Sequence, residues 1–451
     1  MFENKKIFML GMARSGYECA KVLALLTKDI VITDLAEQDA IHVAELESLG
    51  VKVVICQSNS SQEELFDSDD YEILIKNPGV PRKNGIVQKA LNKGIPVLNE
   101  LEVAYEKFPS DVKIIGITGT NGKTTTTTIL YEILKRMSLS VKLGGNIGFP
   151  VCSLVSKVNP GDILVLEISD HQLVDVNNFK TDYSILTNIE EAHLDFHMEG
   201  FEGYKKAKKK IFNRHNETDM AVINGNDVNV LELTKDITSR VVTFSASSKT
   251  DLFLKDKTIY YGDEKIIDFA DIKLVGNHNY ENIMAAVAIA KEFNVSNEVI
   301  KEFLSAFKGV EHRLEYVGEI NGRKFYNDSK STNVTSTNVA LKAFDEPTIL
   351  ILGGHDRGHS FDELKNNLGN TKLIVCYGET KQKINDFCSK NAIKCMVVDN
   401  LKEATEYAYE NSDRGDVILL SPACASWDQY EKMEDRGDEF KRLAGEFLLE
   451  R

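Results

Sequence analysis

Short apolar runs alternate with helix-like stretches along the whole chain, a pattern that predicts α/β domains with largely parallel sheets. In a first block, Lys6–Leu10, Ile30–Thr33, Val51–Ile55, Ile73–Ile75 and Pro96–Leu98 read as strands, with a helix expected over Tyr17–Leu26. The pattern breaks at Phe108-Pro109-Ser110. A second block opens with an expected strand at Lys113–Ile117 and a helix to about Met137. Strands are expected next at Ile163–Ile168, Ser184–Leu186 and Met220–Ile223. Short strands around a Tyr261-Gly262-Asp263 turn fill 241–275, and Asn279–Phe293 reads as a helix. A third block begins near Val310, with strands expected at Thr348–Leu352, Leu373–Cys376, Met396–Val398 and Val417–Leu420. The expected architecture is α/β in three domains, residues 1–108, 109–309 and 310–451.

Composition narrows the classes of function. Hydrophobic residues make up 42% and charged residues 27% of the 451, as in a folded globular protein. The formal net charge of −15 argues against a nucleic-acid-binding surface. It leaves room for anionic ligands held by local cations and helix N-termini. No apolar run approaches the ~18 residues needed to cross a bilayer. The first twenty residues do not read as a signal peptide, so a cytoplasmic protein without membrane insertion is expected. The seven cysteines are scattered without a CxxC pair, which argues against a disulfide framework or a zinc site.

Two loops point to phosphate chemistry. Gly119-Thr120-Asn121-Gly122-Lys123-Thr124-Thr125 lies between an expected strand and an expected helix. Backbone N–H groups of such a loop face phosphate oxygens, Lys123 reaches the β/γ-phosphates and Thr124 is placed for Mg²⁺. Its first glycine stands too near Gly122 for the strict GxxxxGK[ST] pattern. Gly11-x-Ala13-x-x-Gly16 is a weaker, Rossmann-type turn, and Asp34 ends the next strand where a ribose hydroxyl or base is held. This turn fits a dinucleotide site or a purely structural role. Glu167 ends a continuous apolar strand, the position from which a carboxylate opens onto a ligand crevice and takes Mg²⁺ directly or through water. His193 and His197 are four apart without an HExxH pattern, and the run Lys205-Lys206-Ala207-Lys208-Lys209-Lys210 reads as a solvated helix face.

The phosphate loop, Gly145-Asn146-Ile147-Gly148, His193-Leu-Asp-Phe-His197, His312-Arg313, Asn327-Asp328-Ser329-Lys330-Ser-Thr332-Asn333 and Leu420-Ser421-Pro422-Ala-Cys-Ala-Ser426-Trp427-Asp428 occur in an order that resembles the Mur ligases of peptidoglycan synthesis. The resemblance implies a Rossmann-like N-terminal domain, a central P-loop ATPase-type domain and a Rossmann-like C-terminal domain that binds the amino acid and closes on ATP. It implies that ATP phosphorylates the carboxylate of UDP-N-acetylmuramoyl-L-alanine and that the amine of D-glutamate attacks the acyl phosphate. ADP and phosphate leave, and a monomer is expected. Thr124 and Glu167 are implied to hold one Mg²⁺, and His193 with a carbamylated Lys208 a second, with Lys208 chosen from among four neighbouring lysines. Asn279, Asn282, Arg313 and Asp328 are implied to contact ATP. Lys330, Thr332, Arg357 and Ser426 are implied to position D-glutamate or the reacting groups. Gly11, Ala13, Arg14, Ser15, Gly16, Asp34, Asn77, Gly79, Asn146 and Ser169 are implied to take the UDP-sugar, with His193 beside them.

Four positions depart from the family pattern. Asp170-His171 stands where Ser-Phe is usual, which fits either outer packing variation or altered metal binding. Met433 replaces a phenylalanine, and position 357 is an arginine where lysine also occurs, a side chain able to grip a carboxylate bidentately. Gly353-Gly354 fits a simple turn, and Ser426 fits a helix cap.

Overall fold

The computed structural model describes residues 1–274 and 276–447. Among these, three α/β sheets follow one another along the chain. The chain divides into two compact units: Met1–Ile267 with Glu281–Ile300, and Asp268–Tyr280 with the chain from Lys301 onward.

In the first unit, a five-stranded parallel sheet has Ile7–Leu10 at its centre. Ile30–Asp34 and Ile73–Lys76 flank it, and Lys52–Ile55 and Val97–Leu98 form the edges. The nine-stranded sheet has Lys113–Thr118 between Ile163–Glu167 and Tyr183–Leu186, all parallel. Val141–Gly145 closes one side, and Met220–Asn224 and Arg240–Ser245 continue the other. The apolar core does not stop at the expected break near 108. Leu101, Val103 and Ala104 of helix Glu100–Lys107 pack in one cluster with Met9 and Ala20 on one side and Val151, Leu154 and Leu164 on the other.

The second unit carries a mixed six-stranded sheet. Val417–Leu420 lies between Arg323–Asn327 and Thr348–Gly353, parallel to both. Thr371–Tyr377 and Cys395–Val397 extend it in parallel, and Glu315–Ile320 runs antiparallel to Arg323–Asn327. No helix among the described residues is long and apolar enough to cross a membrane.

Several local expectations change. The first helix spans Arg14–Leu23, not Tyr17–Leu26, because it begins inside the glycine turn. A Cβ at Gly16 would stand 2.1 Å from the Gly11 carbonyl oxygen, and one at Gly11, where φ is +96°, 2.8 Å from Asn77 Cβ. Only glycine lets the turn close this tightly. Strands Val141–Gly145 and Glu315–Ile320 have no counterpart in the expected pattern, while Arg323–Asn327 is the strand expected just before Asp328. The last two form a hairpin through Asn321-Gly322, both at positive φ, a signal present in the sequence.

Candidate active site

The phosphate loop sits where a parallel sheet delivers ligands, at the carboxyl end of strand Lys113–Thr118, and leads into helix Lys123–Lys135. Two glycines shape it. A Cβ at Gly119 (φ +151°) would lie 1.8 Å from Thr187 Oγ1, and one at Gly122 (φ +82°) 2.2 Å from Asn282 Oδ1. Asn282 also accepts from Thr126 Oγ1 at 3.2 Å, so it braces the loop from the helix Asn277–Glu292. The Thr120 and Asn121 amides donate to Asn188, at its carbonyl and its side-chain oxygen. Thr120 Oγ1 meets Tyr204 OH at 2.8 Å. Lys123 Nζ folds back on its own loop, donating to the Gly119 and Thr120 carbonyls at 2.8 and 2.7 Å. Thr124 and Thr125 are buried in the first helical turn.

Register sets Glu167 beside the loop: it pairs with Ile117 on one side and Gly145 on the other. It is buried; Asn146 Nδ2 donates to its Oε1 at 2.7 Å, while Oε2 has no partner. A buried, unsatisfied carboxylate oxygen fits a cation ligand.

Next to it, Asp170 is the hub of a network. His193 Nδ1 lies 3.2 Å from both of its oxygens, His197 Nε2 2.8 Å from Oδ2, and Lys208 Nζ 3.9 Å from Oδ1. Burial opposes ionisation of Asp170, but the two histidines and Lys208 outweigh it and hold the carboxyl well below the usual carboxylate range. Asp170, His171 and His193 present ligand atoms within 4.8 Å of one another, a donor set suited to a divalent cation. His171 packs its ring on Phe196, with centroids 3.8 Å apart, and burial lowers its pKa to about 4, so it is neutral at pH 7. It thus keeps an aromatic contact while adding a nitrogen. His193 adopts a positive φ of 50°.

The lysine run is not a uniformly solvated face. Lys208 is fully buried, donates to the Gly119 carbonyl at 2.8 Å and stands 4.6 Å from the Tyr204 ring centre. Lys205, Lys206 and Lys209 pair instead with Glu202, Glu199 and Asp236, and Lys210 with the Val174 and Val176 carbonyls. Desolvation, with Lys123 nearby, drives the Lys208 pKa well below its ordinary value.

A cleft of about 290 Å³ adjoins this cluster, lined by Arg14, Ser15, Asn77, Gly79, Asn146 and Ser169 among others. Asn77 Nδ2 donates to Ser15 Oγ, and its Oδ1 accepts from the Gly79 amide. Arg14 reaches the Gly148 carbonyl. Asp34 is committed in part to its own chain, accepting from the amides of Met12, Leu35 and Ala36. Ala13 is the N-cap residue of the first helix. Sequence reading missed Tyr204, and it missed the buried Lys76–Asp175 pair at 2.7 Å, which Arg82 joins at 2.9 Å. Nothing local in the sequence marks a pair nearly one hundred residues apart.

In the second unit, Asp328 follows strand Arg323–Asn327 and is fully buried, accepting from the Leu314 amide at 3.1 Å and Ser421 Oγ at 2.7 Å. Burial pushes its pKa up to about 6, against the pull of Ser331, Ser421 and Arg313. Below about pH 4 the carboxyl is protonated folded or unfolded. Stability is lost as pH rises through 6, because the folded state must then hold it ionised. Asp328→Asn is therefore expected to raise the thermal midpoint at pH 7.5, by up to roughly 3 kcal/mol of stability, and to leave it unchanged at pH 4. An equal gain at both values would contradict the burial argument.

The Lys330 amide donates to the His312 carbonyl, and the Thr332 amide to that of Lys330. Asn279 is buried and donates its amide to the Gly276 carbonyl. Ser426 is buried with an unpartnered hydroxyl, so it is not a helix cap; it is a polar group without a protein acceptor. Arg357 is exposed and lies over the Trp427 ring at 5.6 Å. Gly353 and Gly354 are more than a turn: a Cβ would meet the Tyr377 and Ala425 carbonyl oxygens at 2.1 and 2.3 Å. The half-buried Met433 accepts from Ser329 Oγ through its carbonyl.

The Mur ligase middle domain matches residues 117–290, and the Mur ligase, glutamate ligase domain matches residues 312–424. The chain is 44% identical over 444 residues to the UDP-N-acetylmuramoylalanine–D-glutamate ligase of Geobacillus kaustophilus, covering 97% of each. It is 44% identical over 442 residues to the enzyme of that name from Streptococcus agalactiae, covering 97% of this chain and 96% of that one. The crystal structure of UDP-N-acetylmuramate–alanine ligase from Thermotoga maritima aligns with a TM-score of 0.57 over 98% of this chain and 99% of that one. At 19% identity, that likeness speaks to the fold alone.

Proposed function

The chain belongs to the Mur ligase family, and on that premise we propose that it joins D-glutamate to UDP-N-acetylmuramoyl-L-alanine while ATP is cleaved to ADP and phosphate. The observation that carries the reading is the convergence of Lys123, Glu167, Asp170 and Lys208 around one phosphate loop at the carboxyl ends of parallel strands. A free carboxylate is a poor acyl donor, so the reaction begins with its phosphorylation. The amine of D-glutamate then attacks the acyl phosphate, and the tetrahedral intermediate collapses to the amide.

The loop amides and Lys123 bind phosphoryl oxygens, and Lys123 moves from its own loop carbonyls to the nucleotide to do so. Arg14, Ser15, Asn77, Gly79, Asn146 and Ser169 hold the UDP-sugar in the cleft beside Asp170 and His171. Asp34 keeps the turn of Gly11 and Ala13 in shape and offers its remaining capacity to the nucleotide. Thr124 and Glu167, and the His193 and Lys208 side of the Asp170 network, would hold divalent cations, which would supply charge neutralisation at the phosphoryl groups. Lys208, driven toward its neutral amine by burial, is nucleophilic toward CO₂; its carbamate replaces a repelling cation with an anionic oxygen pair. Asp170 and His171 widen the donor set beyond the family pattern. In the second unit, Asn279, Arg313 and Asp328 contact ATP, while Lys330, Thr332, Arg357 and the unpartnered Ser426 hydroxyl receive D-glutamate.

Phosphate release tests the assignment directly. With ATP, Mg²⁺ and UDP-N-acetylmuramoyl-L-alanine, turnover is expected to require D-glutamate and to stay at background with L-alanine, L-lysine or meso-diaminopimelate. Dependence on another amino acid would replace the named substrate, and no turnover with any of them would remove the reaction class.

A further inference from the structure

Three of the cysteines that look scattered in sequence come together in the second unit, and none of them is a residue assigned above. Cys376 lies on strand Thr371–Tyr377, Cys395 opens the neighbouring parallel strand, and Cys388 comes from helix Lys381–Lys390. Register pairs Ile374 with Cys395 and Cys376 with Val397, so Cys376 and Cys395 share one face on diagonal positions, their Sγ atoms 3.5 Å apart. Cys376 and Cys388 are fully buried, Cys395 is half-buried on the edge strand of the sheet, and all three are free thiols.

We propose that Cys376 and Cys395 form a reversible oxidation site, at which a peroxide converts the two thiols into an intramolecular disulfide. Exposure makes Cys395 the attacking sulfur. The Cys376 thiol, 3.5 Å away, can donate to it, and hydrogen bonding with Cys376 and Cys388 pulls the Cys395 pKa down, toward the thiolate. The Cys395 thiolate attacks one peroxide oxygen; the O–O bond breaks, hydroxide leaves and takes up the proton that Cys395 lost, and a sulfenic acid remains. The Cys376 sulfur then attacks that sulfenic sulfur: the S–S bond forms, the S–O bond breaks, and the hydroxyl departs as water with the Cys376 proton. Two thiols and one hydrogen peroxide thus give one disulfide and two waters. Diagonal positions on adjacent strands stand roughly 7–8 Å apart at Cα in regular pairing, just beyond the roughly 4.4–6.8 Å that a disulfide spans without backbone movement. The three-residue edge strand must draw inward, so the bond is strained and easily reduced, as labile disulfides are.

The test uses the reduced full-length chain, treated with hydrogen peroxide at neutral pH, blocked by alkylation and mapped without reductant. The expected result is a fall in the native thiol count from seven to five, a monomer lighter by two hydrogens, and a peptide linking Cys376 to Cys395. Dithiothreitol restores all the thiols. Cys376→Ser should stop the reaction at a Cys395 sulfenic acid, captured by a cyclic dione probe, while Cys388→Ser should still form the bond. A thiol count that stays at seven overturns the proposal, as does a bond that joins Cys388 instead, or one that forms only in denaturant.

Discussion

The Lys208→Ala protein is expected to fold and to turn over at least ~100-fold more slowly, the scale lost when one preorganised electrostatic group is removed from a phosphoryl- or acyl-transfer site. Formate or acetate should restore part of the rate by supplying a carboxylate where the proposed carbamate would stand. Two features of the structure set this apart from an ordinary surface lysine. Its amine is fully buried and donates to the Gly119 carbonyl inside the phosphate loop, and the carboxylate it pairs with, at 3.9 Å, is Asp170, already engaged by two histidines. A protonated lysine there faces desolvation and the Lys123 charge together, and both favour the neutral amine that adds CO₂. Steady-state phosphate release with and without added acid, beside a melting curve, reads the outcome. Unchanged turnover removes Lys208 from the reaction. Loss that no small carboxylate restores removes the carbamate and leaves only the amine.

Lys208 also shows where sequence stops being legible. Composition and periodicity describe all five lysines of 205–210 alike, and family resemblance alone singles one out. What separates them is the helix face: Gly200–Lys209 turns Tyr204, Ala207 and Lys208 inward and leaves its neighbours to surface partners. The phosphate loop was legible because its chemistry is contiguous: strand, glycines, lysine and helix all lie within a dozen residues. The parallel strands were legible because buried strands are unbroken apolar runs. Edge strand Val141–Gly145 escaped because it is only partly buried and carries Gly144 and Gly145, and strand Glu315–Ile320 because it mixes charged and apolar residues. Asp170 was visible as a departure from the family pattern. Its partners were not, since His193, His197 and Lys208 reach it from a loop and a helix 23 to 38 residues later. Asp34 reads in the sequence as a nucleotide ligand; what the structure shows is three backbone amides sharing its carboxylate, contacts that sequence spacing does not reveal.

Asp175→Ala is expected to be the most destabilising single change in the first unit, by about 3–5 kcal/mol, because it leaves Lys76 as an uncompensated buried charge. Lys76 and Asp175 are both without side-chain exposure and meet at 2.7 Å; Arg82 adds a second cation at 2.9 Å, and Lys76 also donates to the Val80 carbonyl. Together they tie the loop after strand Ile73–Lys76, which carries Asn77 and Gly79, to the segment just past Asp170–Leu173. Desolvation already lowers the Lys76 pKa, and Asp175 is what opposes that fall. Without the aspartate, the folded state binds a proton at Lys76 less readily still, while the unfolded chain binds it up to about pH 10. Stability of the variant should therefore rise with pH through that window, and the deficit against the parent should be larger at pH 6 than at pH 9.5. Thermal or urea unfolding at the two pH values checks the sign. A double change, Lys76→Met with Asp175→Leu, separates the buried charge from packing: it should recover most of the loss, since an apolar pair of similar volume often matches a buried ion pair. If the double variant is as unstable as Asp175→Ala, the shape of the site and not the orphaned ammonium holds these two segments together.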